Sequence, residues 1–365
     1  MSHFHLRCTT CGNTHTPDMV TMSCANCSDP LEISYHQETL NKSKIPMPFK
    51  SNDSTVSIGE GRTPIVSLST IGKYLGRNHV FGTLEYLNPT GSFKDRGTAV
   101  MLNVAAEFGT REIVEDSSGN AGASVAAYAS KHSMKAHIFV PDSAPAAKLQ
   151  QIIAYGAEVH PIGGHRQNTT TAAIKFCKDQ NIVYTSHNLS PYFLEGTKTY
   201  AYEIVARNKQ IPDHIVFPVG NGSLLIGAWI GFSELAKFGS LKKIPKLHCV
   251  QPQAVMPIVA KYRGETWDPG DAKHTIAGGI SVTHPPRYKR ILDIINESNG
   301  TAVAVNDPNI LEWRTKLAHL EGIYAEPTSA AAFAGLEQLV HTETIKENET
   351  VLIPITGFGL KDAAL

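Results

Sequence analysis

From Glu112 onward, apolar runs of strand length alternate with stretches of helix length, and that rhythm constrains the fold more than any other feature. Strands are expected at Glu112–Glu115, Ala136–Val140, near Glu158, and at Ile182–Thr185, His214–Val219, Leu247–Gln251, Ala302–Val305 and Thr350–Ile355. Helices are expected over Asn120–His132, Ala144–Tyr155, Thr169–Lys178, Leu194–Arg207, Leu224–Phe238, Pro308–Leu320 and Thr328–Val340. Strands separated by helices of this length indicate βαβ units and a parallel sheet, hence an α/β fold. The alternation alone fits one large sheet as well as two. A chain of 365 residues suggests two domains, with room for a small accessory module.

One lysine stands out against this background. Asn88-Pro89-Thr90-Gly91-Ser92-Phe93-Lys94-Asp95-Arg96-Gly97 reads as a turn followed by a helix start, and Thr98 to Ala106 is apolar enough for a buried helix. Ser92 can cap the first turn, and Asp95 suits its positive end. Lys94 therefore sits at the mouth of a helix, where partial desolvation and the dipole both disfavour the ammonium. An amine in that setting can form a Schiff base. A snorkelling lysine paired with Asp95 would read the same locally. Pro218-Val219-Gly220-Asn221-Gly222-Ser223-Leu224 follows an apolar strand and opens an apolar helix, a context that lets backbone amides converge on an anion. Ser117-Ser118-Gly119-Asn120 lies at another strand-to-helix junction, where plain N-capping is also expected.

Four of the six cysteines lie within the first 27 residues, as Cys8-x2-Cys11 and Cys24-x2-Cys27. Two such knuckles favour a tetrahedral, structural Zn2+ over disulfides, and a segment with so little core would draw folding energy from the metal. Cys177 and Cys249 stand in apolar surroundings and read as core. Lys+Arg and Asp+Glu balance at 33 each, so nothing points to nucleic acid or an anionic membrane. With no membrane-length apolar run and no signal-peptide pattern, a cytoplasmic protein is expected. Residues 36–57, polar and proline-bearing, read as a linker. His165, His187 and His284 fall in expected loops without metal spacing.

The ordered motifs resemble those of the threonine synthase family of pyridoxal-phosphate (PLP) enzymes, which has the tryptophan-synthase-β-like fold, fold type II. The resemblance runs through Gly59-Glu60-Gly61-Arg62-Thr63-Pro64, the lysine stretch and Ser117-Ser118-Gly119-Asn120. It continues through Glu195-Gly196-Thr197-Lys198-Thr199, the Gly220 loop, Glu321-Gly322-Ile323-Tyr324-Ala325-Glu326-Pro327 and Thr356-Gly357-Phe358-Gly359-Leu360-Lys361-Asp362. It implies two doubly wound domains with PLP in the cleft between them, behind an N-terminal zinc ribbon, and a homodimer. The implied division is a ribbon-like module at 1–35, a larger PLP-binding domain of 36–85 with 190–365, and a smaller mobile domain at 86–189. By the same resemblance Lys94 carries PLP, with Phe93 beside it. Gly220, Asn221, Gly222, Ser223 and Leu224 cradle its phosphate, and Asn120 meets its ring hydroxyl. Thr356 would bond the pyridine nitrogen with a neutral hydroxyl, which suits elimination and replacement better than transamination. The substrate would be a small amino acid, its carboxylate held by Ser117, Ser118 and Gly119, with Ala121, Phe193, His284 and Arg287 as further contacts.

Two departures bear on that substrate. Family members generally carry Ser-Thr-Gly-Asn-Thr where this chain has Ser117-Ser118-Gly119-Asn120-Ala121, and Asn-Pro-x-Arg where it has Ser190-Pro191-Tyr192-Phe193. In the family the missing Thr and Arg help bind the phosphate of O-phosphohomoserine. Phe193 cannot supply the forked, charge-assisted bonds of a guanidinium. Lys198 and Arg287 are the cations that could stand in. Phe358 also replaces the family's usual His. The expectation is a PLP-dependent lyase performing β- or γ-elimination or replacement on a different small α-amino acid. Threonine synthase proper is the alternative, and a non-catalytic sensor or partner protein on this fold is the reading from another class.

Overall fold

The structure, a computed structural model, describes residues 3–42, 45–50, 55–144, 146–164, 166–207 and 211–362. It divides into two compact units: Met1–Glu60 with Lys94–Thr199, and Gly61–Phe93 with Tyr200–Leu365.

The first unit holds two sheets. Phe4–Cys8 pairs antiparallel with Thr14–His15 on one side and Leu31–Tyr35 on the other, and these strands carry the four cysteines' segment. The second sheet is parallel throughout, in the order Glu158–Ile162, Lys135–Pro141, Glu112–Glu115, Val183–Tyr184. Strand Lys135–Pro141 is buried at five successive positions, Ala136 to Val140, as expected where helices cover both faces. The expected independent ribbon instead shares a core with this unit: Phe4, Leu6, Leu31 and Tyr35 pack into the same cluster as Ala99, Leu102 and Phe193. Tyr192 ties the two together, with its ring edge-on to Phe4 at 6.2 Å and its hydroxyl donating to the Asp18 carbonyl at 2.7 Å.

The divisions expected at 85/86 and 189/190 also fall elsewhere, at 93/94 and 199/200. The cause is helix Pro191–Thr197, which lies so close to helix Lys94–Glu107 that a Cβ on Gly196 would stand 1.9 Å from the Arg96 carbonyl oxygen. That contact holds 190–199 in the first unit. The single helix expected over Leu194–Arg207 is accordingly two, Pro191–Thr197 and Thr199–Arg207. Within the expected linker, Gln37–Lys42 forms a short helix.

In the second unit six strands run in the order Ala302–Val305, Lys246–Pro252, His214–Pro218, Val351–Pro354, Val80–Thr83, Ile65–Ser67. All pair parallel except Ile65–Ser67, which is antiparallel to Val80–Thr83. Its core gathers Val216, Val250, Ile353, Trp313 and Phe333, with helix Pro327–His341 packed along the strands. Among the described residues no helix is long and apolar enough to cross a membrane.

Candidate active site

Open α/β sheets bind ligands beyond the carboxyl ends of their strands, where the strand order reverses direction. In the second unit that point lies between His214–Pro218, from which the chain winds outward, and Val351–Pro354, inserted on the other side. Two of the sequence-derived motifs leave these adjacent strand ends: Gly220–Leu224 follows the first and Thr356 the second. In the first unit the reversal flanks Glu112–Glu115, and Ser117–Asn120 is the loop leaving its carboxyl end.

Gly220–Leu224 has the build of an anion cradle. Gly222 adopts φ +77° and caps helix Ser223–Lys237, and a Cβ there would meet Ile291 Cδ1 at 2.4 Å. A Cβ on Gly220 would come within 3.0 Å of the Ile280 backbone, so neither position tolerates a side chain without movement. The loop is thus bare backbone leading into a helix N-terminus, which suits a phosphate. Leu224 is buried at the helix start and Asn221 is half-buried.

Thr356 is buried, and its Oγ1 lies 2.9 Å from Ser329 Oγ and 3.5 Å from Glu326 Oε1. Its carbonyl accepts from the Phe93 amide at 3.1 Å. Next to it Gly357 lies against the Glu326 carboxylate, where any Cβ would be 2.2 Å from Oε1. Ser92 bridges to Gly357, and its fully buried hydroxyl finds no hydrogen-bond partner among the described residues. The capping role expected of Ser92 is therefore not taken up. A buried orphan hydroxyl beside Thr356 and a bare glycine cradle on the neighbouring strand are a donor set that fits PLP. Glu326, Ser329 and Ser92 were not legible as site residues. Glu326 does stand in a motif of the sequence, but its approach to Gly357 is a property of the fold.

In the first unit Lys94 opens helix Lys94–Glu107 and is partly buried, as expected. Asp95 is buried and accepts from Ser124 Oγ at 2.6 Å. Lys94 Nζ stands 5.7 Å from the centroid of the Phe193 ring. Phe193 is fully buried, and its ring lies where a Cβ on Gly97 would be, 2.5 Å away. The edge of His187 closes on the same ring at 6.1 Å, with its Nδ1 held 2.7 Å from Glu115 Oε1. Gly119 caps helix Asn120–Lys131 and its amide donates to Ser117 Oγ at 3.3 Å, so Ser117 turns inside its own loop. Ser118 and Asn120 are half-buried and Ala121 is buried in the helix.

Of the cations that could replace the missing Arg, Lys198 is committed elsewhere. It is fully buried, 2.6 Å from Glu195 Oε2 and 4.6 Å from the Tyr35 ring centroid. Arg287, in the second unit, is buried at the N-cap of helix Tyr288–Glu297, and His284 is exposed with Nδ1 3.0 Å from Thr283 Oγ1. His165 lies outside the described residues.

The four N-terminal cysteines converge, and none is in a disulfide. Their Sγ atoms all lie within 4.8 Å of one another, with Cys8–Cys27 at 3.4 Å, Cys11–Cys24 at 3.5 Å and Cys11–Cys27 at 3.6 Å. Sulfurs about 2.3 Å from one tetrahedral ion stand ~3.8 Å apart, so the set fits Zn2+.

Comparison with known proteins agrees with this class. The chain belongs to the pyridoxal-phosphate dependent enzyme family, whose pattern matches residues 56–357. Within it the chain is threonine synthase-like. It is 35% identical to a threonine synthase of Methanocaldococcus jannaschii over 98% of this chain and 92% of that one. It is 36% identical to a threonine synthase of Bacillus sp. strain ULM1, covering 87% of this chain and 88% of the relative. The fold is shared with the processed form of threonine deaminase isoform 2 from Solanum lycopersicum, at TM-score 0.70 and 22% identity over 81% of this chain and 79% of the other.

Proposed function

We propose that this chain is a PLP-dependent lyase of the threonine synthase type, performing β- or γ-elimination or replacement on a small α-amino acid other than O-phosphohomoserine. Phe193 carries the substrate part of that reading. It is fully buried on helix Pro191–Thr197, at the position where the resembling motif has its phosphate-binding Arg. Losing such a charge-assisted fork removes on the order of a few kcal/mol of anion binding. Lys198, bound to Glu195, does not restore it.

When bound, PLP draws the electrons of a Cα bond into its ring. Lys94 Nζ holds the cofactor before the amino acid arrives, then takes the α-proton as general base. The amides of Gly220–Leu224 hold the phosphate, and the Ser117–Asn120 turn binds the substrate carboxylate. Thr356 Oγ1 would offer the ring nitrogen a neutral hydroxyl rather than a carboxylate, which suits elimination and replacement better than transamination. Phe193 excludes water and offers an apolar wall near Lys94 Nζ. Cys8, Cys11, Cys24 and Cys27 hold one structural Zn2+.

The test is to mix the holoenzyme with O-phosphohomoserine, O-phosphoserine, serine, threonine and O-acetylserine, following absorbance and products. Turnover of one of the last four is expected. Rapid conversion of O-phosphohomoserine to threonine and phosphate would instead establish threonine synthase proper, the reading favoured by the near full-length likeness to the M. jannaschii enzyme. No spectral change with any amino acid would point to a sensor. Lys94→Ala should abolish the borohydride-reducible yellow chromophore, and its persistence would remove Lys94 from this role.

A further inference from the structure

We propose that His137, Glu158 and His160 form a metal site of their own, taking a divalent transition ion such as Zn2+, on one face of the parallel sheet of the first unit. Strand Glu158–Ile162 is the edge strand and pairs with Lys135–Pro141 so that His137 stands opposite Glu158 and Phe139 opposite His160. Residues two apart share a face, which brings the three side chains together. His137 Nδ1 lies 2.9 Å from His160 Nε2. Glu158 faces both rings with its two carboxylate oxygens, Oε2 at 3.5 Å from His137 Nδ1 and Oε1 at 3.4 Å from His160 Nε2. One ligand atom from each of the three residues lies within 4.8 Å of the other two. Nitrogen and oxygen ligands about 2.0–2.1 Å from a tetrahedral ion stand ~3.3 Å apart, so a turn of the Glu158 carboxylate and a slight parting of the rings bring all three onto one ion.

The surroundings are those of a metal ligand rather than of a chance cluster. His137 Nε2 lies 2.7 Å from Glu112 Oε1. The carboxylate fixes the proton on Nε2 and leaves the Nδ1 lone pair facing the other two groups, the outer partner that metal-binding histidines ordinarily have. His160 is stacked on Phe139 with centroids 4.5 Å apart and 13° between planes, and Phe176 lies 5.4 Å from His160 and 4.9 Å from His137. This apolar bed fixes both rings. Without an ion, His160 Nε2–H donates to His137 Nδ1. An ion takes the place of that proton, which His160 then carries on Nδ1, so charge changes only by the metal's own. Lys135 Nζ, 3.4 Å from Glu158 Oε2 and 3.1 Å from Glu112 Oε1, competes for the same carboxylates. It is well exposed, and giving up such a surface pair costs little. Glu158 is half exposed, so the fourth position is open to water. Two imidazoles and one carboxylate select zinc, nickel or copper over magnesium or calcium. Bound there, the ion would staple the edge strand to its neighbour.

The experiment is equilibrium dialysis of the full chain against Zn2+, with metal counted by elemental analysis, for wild type, His160→Ala and Glu158→Gln. Wild type should hold one equivalent more than either variant, a difference that does not depend on whether the cysteines are loaded. Zn2+ should also raise the Tm of wild type more than that of Glu158→Gln, a partly exposed substitution that leaves the fold intact, and Mg2+ should raise neither. Equal zinc content in all three proteins, or an equal thermal shift in wild type and Glu158→Gln, would overturn the proposal.

Discussion

Phe193 does two things at once, because the ring that fills the space beside Gly97 also lies 5.7 Å from Lys94 Nζ. Truncating it leaves a cavity between two helices that cannot close without moving Lys94. Phe193→Ala should therefore cost ~3–5 kcal/mol of stability, read from urea unfolding. Phe193→Arg should be no gentler, since the guanidinium would be buried with the only nearby acid of its helix, Glu195, already bound to Lys198. Gly222 makes a comparable demand on backbone. With φ +77° and Ile291 Cδ1 2.4 Å from any Cβ, Gly222→Ala should shift the start of helix Ser223–Lys237. The expected outcome is at least tenfold weaker PLP retention, followed by absorbance on dilution, with ~1–3 kcal/mol lost from overpacking and strain. Unchanged PLP affinity in a folded Gly222→Ala protein would detach the cradle from this loop.

The N-terminal strands and helix Pro191–Thr197 behave as one element. Tyr35 ends the last of these strands, and its hydroxyl donates to Glu195 Oε2 at 2.5 Å, on the same short helix as Phe193. Chelation of the proposed zinc should loosen residues 9–30 and, through Tyr35, that helix. Limited proteolysis should cut the chelated protein within the cysteine segment first, and Tyr35→Phe should cost ~1–3 kcal/mol by leaving a buried carboxylate one donor short. Resistance of chelated protein to proteolysis would show that its shared core, not the metal, holds the segment. This coupling was not legible, because a pair of Cys-x2-Cys knuckles describes a metal site and says nothing of what the strands between them pack against. The break at Lys198 was equally hidden, because apolar spacing runs through it from one helix into the next. Helix Tyr288–Glu297 did carry a signal, with Ile291, Ile294 and Ile295 at helical spacing, and it lay inside a loop-like, proline-rich stretch.

On the scale of the whole molecule, the long strands and helices were readable because both sheets bury apolar runs on two faces. Glu112–Glu115 and Ala302–Val305 are only four residues long but stand within the strand–helix alternation. Val80–Thr83 lies before that rhythm begins and runs straight into the Glu85–Leu87 turn, so no pattern marked it as a strand. Candidate site residues showed in the sequence where they lie in glycine- or serine-bearing turns, and stayed hidden where, like Glu326, only the fold brings them to Thr356 and Gly357. The interior of the second unit also sets an acid limit. His248 is buried between His214 and Thr301, and burial first, then the His214 charge, hold its pKa down to about 3. The unfolded imidazole titrates near 6.5, so the unfolded chain binds the proton more readily. Its contribution is complete above about pH 6.5 and is lost as pH falls from there towards 3. The urea midpoint should drop more steeply below pH 6.5 in wild type than in His248→Asn, and parallel curves would exclude His248 as the cause. Order of synthesis adds a further consequence. Strand Val351–Pro354 lies in the middle of its six-stranded sheet, between strands made some 130 and 270 residues earlier. While the chain is being translated, the first unit has all its strands by Thr199, whereas the second waits with a gap at its centre. From the emergence of Ala302–Val305 until Val351 is made, the chain is thus a finished first unit attached to two strand groups whose inner edges remain open to chaperones and to other nascent chains.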